Sequence, residues 1–231
     1  MQTMHIRILR RLKKRTFTEL LVLVIALSVL SGCATDANIK PAPIVQEPAL
    51  PAGPIVARLE DGREGFIITE VPQMDETSRK DFERAIALMK DQDYGHAIEI
   101  LEKIIEKSPG VTAPYIDIAI AYRLIGKPEK AEEHLKAALQ LVPDHPVASN
   151  EYALLCRKVG RFADARAIYE KAIAHFPEYY PMQRNFGILC DLYLNDPECA
   201  LEHYEIYSEA KPEDKQVKMW IADLRTRLGR N

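Results

Sequence analysis

From residue 76 onward one spacing recurs, and it constrains the fold more than any single residue does. Pro109, Pro143, Pro177 and Pro212 are separated by 34, 34 and 35 residues. Ala85, Ala119, Ala153, Gly187 and Ala222 keep the same step, at 34, 34, 34 and 35. A second small column, Ala97, Ala131, Ala165 and Ala200, follows it at 34, 34 and 35. Four residues after each of these stands Leu101, Leu135, Tyr169 or Tyr204, and seven after stands Ile104, Ala138, Ala172 or Tyr207. Apolar residues at i, i+3, i+4 and i+7 predict two amphipathic helices per unit. The small columns mark where two backbones come close, so larger side chains there would push the helices apart. Each proline falls between units, where its missing N–H costs little. Turns inside the hairpins are read at Asp91–Gly95, Gly126-Lys127-Pro128, Gly160-Arg161 and Asn195-Asp196-Pro197. A lone hairpin cannot bury its inner face, so the units must stack.

Tyr115, Ile118, Ala119, Tyr122, Ala131, Leu135, Ala138 and Pro143 match every column of the tetratricopeptide repeat, which this region resembles. The third unit is close to it, with Tyr152, Ala153, Ala165, Tyr169, Ala172 and Pro177. The first departs, having Asp81 and Arg84 where bulky residues are usual. The fourth has one extra residue between Gly187 and Ala200, so its turn is expected to be distorted. Ile221 and Ala222 stay in register on a last helix, similar to the solvating helix that closes such arrays. The resemblance implies an all-α, right-handed solenoid over residues 75–230. Its units fall near 78–111, 112–145, 146–179 and 180–214, with a capping helix at 215–230.

The resemblance also implies that the first helices line a concave face that binds peptides of other proteins. Carried over position by position, its inner rows are Phe82, Ile116, Asn150 and Arg184; Ile86, Ile120, Leu154 and Ile188; and Met89, Arg123, Arg157 and Asp191. This gives an aliphatic floor with arginines toward the third and fourth units. Such a groove suits a peptide with apolar anchors and some negative charge. Some relatives clamp a C-terminal carboxylate, but the matching positions here are mostly Phe82, Ile86 and Asp117, so that clamp is not expected. An apolar helical stripe also serves as core or as a seat for residues 55–74, and the sequence leaves both open.

Ahead of the repeats, residues 5–15 are basic, and Leu20 to Leu30 is an 11-residue run with only Ser28 polar. This is a signal-peptide core, too short to span a bilayer comfortably. Leu30-Ser31-Gly32-Cys33 resembles the bacterial lipobox. The resemblance implies removal of residues 1–32 and acylation of Cys33, which becomes a lipid anchor. Ala34, rather than aspartate, follows the cysteine. That implies the outer membrane, facing the periplasm, with the periplasmic side of the inner membrane as the alternative. Residues 33–54 carry five prolines and read as an extended tether, whose 21 residues after the cysteine reach about 65 Å. Residues 55–74 read as a β-hairpin or an irregular segment, because two apolar runs flank Asp61-Gly62. Such a segment packs on the domain or joins a partner's sheet.

Taking six basic residues and one acid of the leader from totals of 31 and 34 leaves 25 and 33, a net charge of about −8. A body this acidic is repelled by phosphate backbones, so nucleic acid is not an expected partner. Cys156 and Cys190 share a column in adjacent units, too far apart to bridge. Cys190 and Cys199 flank one turn, and both a disulfide and two buried thiols fit. The histidines are scattered, with His134 and His203 read as surface or partly buried side chains. Glu99, Glu102, Glu132, Glu133 and Glu170 read as ordinary solvated helix residues. No metal, cofactor, small-molecule substrate or catalytic site is expected. The expected function is that of a membrane-anchored scaffold without catalysis. Lipoproteins resembling this layout serve pilus or secretion-machine assembly or act as adaptors for cell-wall enzymes. The alternative is a constitutive accessory subunit of an envelope enzyme or transport complex.

Overall fold

The computed structural model describes residues 55–58, 66–69 and 73–230. The leader expected at residues 1–32, Cys33, the expected tether and half of residues 55–74 lie outside them. Strands β1 (Ile55–Arg58) and β2 (Phe66–Thr69) pair antiparallel, with Ile55 opposite Thr69 and Arg58 opposite Phe66. The repeat region is helical throughout: α1 (Glu76–Lys90), α2 (Tyr94–Lys107), α3 (Thr112–Leu124), α4 (Pro128–Leu141), α5 (Pro146–Lys158), α6 (Phe162–His175), α7 (Tyr180–Leu192), α8 (Pro197–Ala210) and α9 (Lys215–Arg227). Successive pairs α1/α2, α3/α4, α5/α6 and α7/α8 form hairpins, and α9 follows alone.

Helix ends follow local chemistry. Carboxylates of Asp75, Asp93, Asp196 and Asp214 accept first-turn N–H groups of α1, α2, α8 and α9. Prolines occupy the first turn of α4, α5, α7 and α8, where no N–H is needed. Buried His145 caps α5, its Nδ1 accepting from Val147 N at 3.1 Å and Ala148 N at 3.3 Å. Burial pushes its pKa down to about 4, keeping the ring neutral as an acceptor. That cap stabilises the fold above the ordinary histidine range, and its contribution falls as pH drops from about 6.5 to about 4. In two turns the chain reverses through a left-handed glycine, Gly126 at φ 75° and Gly160 at φ 82°. The fourth turn is one residue longer. Leu194 N donates to Leu189 O and Asp196 N to Cys190 O, with Asn195 at φ 52°.

The small columns lie where the helices close on each other. Ala85, Ala97, Ala119, Ala131, Ala153, Ala165 and Ala200 are all exposed by 1% or less, as are Leu101, Leu135, Tyr169 and Tyr204 four residues beyond the second column. Full burial of one such large side chain contributes about 1.5–3 kcal/mol. One core cluster runs through the first two units and into α5, the other through units three, four and α9, and Tyr152 packs on both. Ala222 continues the first column yet is exposed, because no second helix follows α9. Lys218 and Arg225 stand there in place of Tyr115 and Tyr122, so this face of α9 is compatible with water.

Cys190 and Cys199 are disulfide-bonded, with Cα atoms 5.9 Å apart, and tie α7 to α8. Closing so short a loop stabilises by about 2–3 kcal/mol on the chain-entropy account. Cys156 is a buried free thiol, and burial pushes its pKa up to about 11, so it is a space-filler rather than a nucleophile. Glu132 is not the freely solvated residue that its sequence context suggests. It accepts from Tyr152 Oη at 2.9 Å and from both terminal nitrogens of Arg161 at 3.1 and 2.9 Å, and it pairs with Lys136 at 2.8 Å. Lys136, then Arg161 and Tyr152, hold its carboxyl down at about 2. Glu102 likewise accepts from Tyr122 Oη at 3.0 Å. His134 stacks on Tyr122 with ring centroids 5.6 Å apart, and His203 lies 4.4 Å from Phe186 and bonds Gln183 at 2.7 Å.

Candidate partner-binding groove

First helices of consecutive units touch, α1 with α3, α3 with α5 and α5 with α7. Among the described residues no second helix packs on the next second helix. The first helices therefore form the inner, tighter layer of the array. Ile86, Ile120, Leu154 and Ile188 stand at one position on its four helices, and all are half-buried. Phe82 is half-buried beside them. Their apolar surface is partly core and partly reachable from outside.

Two residues expected on the groove are interior instead. Ile116 is 5% exposed and belongs to the first core cluster, and Asn150 is 4% exposed. The tight inner layer brings neighbouring first helices together over these positions. Asn150 Oδ1 accepts from Asn185 Nδ2 at 2.9 Å, and Asn150 Nδ2 donates to Glu151 Oε1 at 3.4 Å. The arginines are not free to select a partner, as the sequence reading supposed. Arg123 Nη2 lies 2.8 Å from Glu151 Oε2, and Arg157 Nη1 donates to the Asn185 carbonyl at 3.4 Å. Arg157 also sits 5.7 Å from the Tyr193 ring centroid. Arg184 lies 5.3 Å from the Trp220 ring centroid and 3.8 Å from Asp214.

These contacts follow a register. Arg123 and Glu151 are 28 residues apart, and so are Arg157 and Asn185. An arginine near the end of one first helix thus reaches the middle of the next. At the joint between the first two units the same pair of positions holds Met89 and Asp117. Asp117 makes no hydrogen bond or ion pair among the described residues. Burial, then repulsion from Glu151, pushes its pKa up to about 6. Sequence reasoning set out these residues as rows along the array and missed them as pairs across its joints; the 28-residue offset is the signal that reveals them.

The sign of the Asp117 effect is fixed. Its folded pKa lies above the ordinary value of 3.8, so stability is highest when the carboxyl is protonated and falls as pH rises from about 4 through 6. Asp117→Asn is expected to raise unfolding stability by about 2 kcal/mol at pH 7. Urea unfolding at pH 4 and pH 7 checks it, and the difference from the parent should nearly vanish at the lower pH.

At the far end of the groove a cleft of about 360 Å³ opens between α7 and α9, lined by Ile188, Leu192, Tyr204, Trp220 and the Asp191–Arg227–Asp223 group. Arg227 lies 2.5 Å from Asp191 and 3.1 Å from Asp223. Leu192 is 68% exposed at its rim. The inner face is thus an apolar row framed by charges mostly satisfied within the domain. Among the described residues no three His, Cys, Asp or Glu side chains gather as a metal site.

A family profile described as tetratricopeptide repeat matches residues 88–155 and 125–186. No curated protein matches the chain. Among solved structures, MamA from Desulfovibrio magneticus RS-1 is similar at 16% identity and a TM-score of 0.57, covering 68% of this chain and 89% of that one. A structure of Pseudomonas aeruginosa pilF is similar at 20% identity and a TM-score of 0.61, covering 67% of this chain and 70% of that one. At these identities the likeness speaks for the fold alone. Residue columns, helix pairing and the matched profile agree on tetratricopeptide repeats over residues 88–186.

Proposed function

We propose that this chain is a non-catalytic adaptor, held by lipid on Cys33 at the periplasmic face of the outer membrane, whose first-helix face binds segments of other proteins. The observation that carries the reading is the row of Ile86, Ile120, Leu154 and Ile188, half-buried on four consecutive first helices. Repeated apolar positions at one level offer anchor points to an extended or helical segment. The fold supports a binding role, since repeat arrays of this kind present a long inner surface. The Cys190–Cys199 bond fits an oxidising compartment. Assembly of an envelope machine, or recruitment of cell-wall enzymes, is the role that suits a tethered domain of this sort.

Capture from envelope extract tests the reading. The parent should enrich a defined protein, and Leu154→Asp with Ile188→Asp should reduce that enrichment at least about tenfold, the loss of one good anchor. Charge reversals on second helices, Glu99→Lys with Lys103→Glu, should leave it unchanged, and far-UV circular dichroism should report intact helices throughout. Equal losses from both faces, or no enriched protein with the parent, would count against an adaptor working through this groove.

A further inference from the structure

The joints of the inner layer are built alike, and one lacks a part. Between units two and three, Arg123 is paired with Glu151 at 2.8 Å. Between units three and four, Arg157 donates to the main chain of Asn185, the next residue of that column. Between units one and two the column holds Asp117, and the position that should supply the arginine holds Met89. Asp117 is half-buried and without a partner among the described residues. On the first helices of these two units, Phe82, Ile86, Met89 and Ile120 are apolar and half-buried. Repulsion from Glu151 adds to the effect of burial in disfavouring the ionised carboxyl.

We infer that the groove between the first two units is a receptor for a basic side chain, a lysine or arginine of the bound protein flanked by apolar anchors, which takes the place that Arg123 and Arg157 fill at the later joints. This rests on the adaptor reading above and gives it a partner chemistry. It also reverses the sign expected from the sequence, because the arginines that suggested an acidic ligand are engaged within the domain and the unmatched charge is a carboxylate. A desolvated carboxylate aimed at by one cation gives charge-assisted hydrogen bonding and rejects acidic segments.

The minimal probe is n-butylguanidinium, an arginine side chain with its Cα carbon as a methyl group, with neutral pentanamide as its twin. Both are titrated into the full chain in detergent micelles while the methyl signals of Ile86 and Ile120 are followed by NMR. The expected result is a saturable shift with n-butylguanidinium and a response to pentanamide at least about tenfold weaker, the size of one charge-assisted contact. Asp117→Asn should abolish the difference between the two probes. Met89→Arg should also abolish it, by restoring the internal pair, and should raise the unfolding midpoint only where Asp117 is present. Equal responses to the two probes, an unchanged response in Asp117→Asn, or no saturable shift at all would each overturn the inference. Should that happen while Leu154→Asp with Ile188→Asp still abolishes partner capture, the adaptor reading stands and only the cation receptor falls.

Discussion

Replacing Cys33 by serine should abolish incorporation of radiolabelled fatty acid and move the chain from the membrane pellet to the uncleaved precursor or the soluble fraction. The effect is expected to be all-or-none because the anchor proposed at Cys33 is covalent. Each buried methylene contributes about 0.8 kcal/mol, so two or three acyl chains hold a protein on a bilayer essentially permanently, whereas none leaves only surface contacts. The Leu30-Ser31-Gly32 stretch before the cysteine should be equally sensitive, since small residues there let an extended backbone enter a peptidase. Palmitate labelling together with flotation of membranes decides the matter. A variant that labels or floats like the parent removes the lipid anchor from the account, and leaves the repeat domain unaffected by it.

Gly187→Ala should cost about 2–3 kcal/mol, although alanine is the usual occupant of its column. A Cβ built at Gly187 lies 2.5 Å from Cδ1 and Cε1 of Tyr204, closer than atoms can approach. Tyr204 cannot swing aside readily: it is 1% exposed, and its ring centroid lies 5.2 Å from that of Trp220. In the first two units a leucine, Leu101 or Leu135, stands at the Tyr204 position and an alanine at that of Gly187; in the third, Ala153 and Tyr169 are both buried, so it is the closer approach of the Tyr204 ring to α7 that leaves no room for a Cβ. Tyr204→Leu in the Gly187→Ala background should therefore recover most of the loss, although alone it leaves a cavity and destabilises. A double-mutant cycle by urea unfolding reads the coupling. Additive losses would mean that α7 and α8 do not meet through this pair.

The repeat itself was legible because its signal is collective. No one of Ala85, Ala119 or Ala153 specifies a close helix crossing, but their common spacing does. The extra residue before Ala200 foretold the longer turn, since an insertion in a fixed period has to be absorbed in a loop. What escaped was chemistry between units. Arg123 with Glu151, and Glu132 with Arg161, join residues 28 and 29 apart on different hairpins, and each looks like an ordinary surface charge within its own helix. Asn150 and Ile116 were placed on the groove by position, yet the inner layer is too tight there to leave them in contact with water. His145 as the cap of α5 was equally hidden, because serine, threonine, aspartate and asparagine are the residues that announce a cap. Cys190 and Cys199 offered two outcomes from sequence, and only the crossing of α7 and α8 brings their Cα atoms to 5.9 Å.

The central claim is that the helix pairs are stable only through the interior they share. Excising residues 112–145, one whole period, joins Val111 to Pro146 in register and removes α3 and α4 together with the Tyr122–Glu102 and Arg161–Glu132 links. Urea unfolding of this shortened chain, followed by far-UV circular dichroism, should give a lower midpoint and a shallower transition than the parent, as nearest-neighbour stabilisation demands. An unchanged midpoint for the remaining hairpins would show that each folds on its own, and would contradict the account.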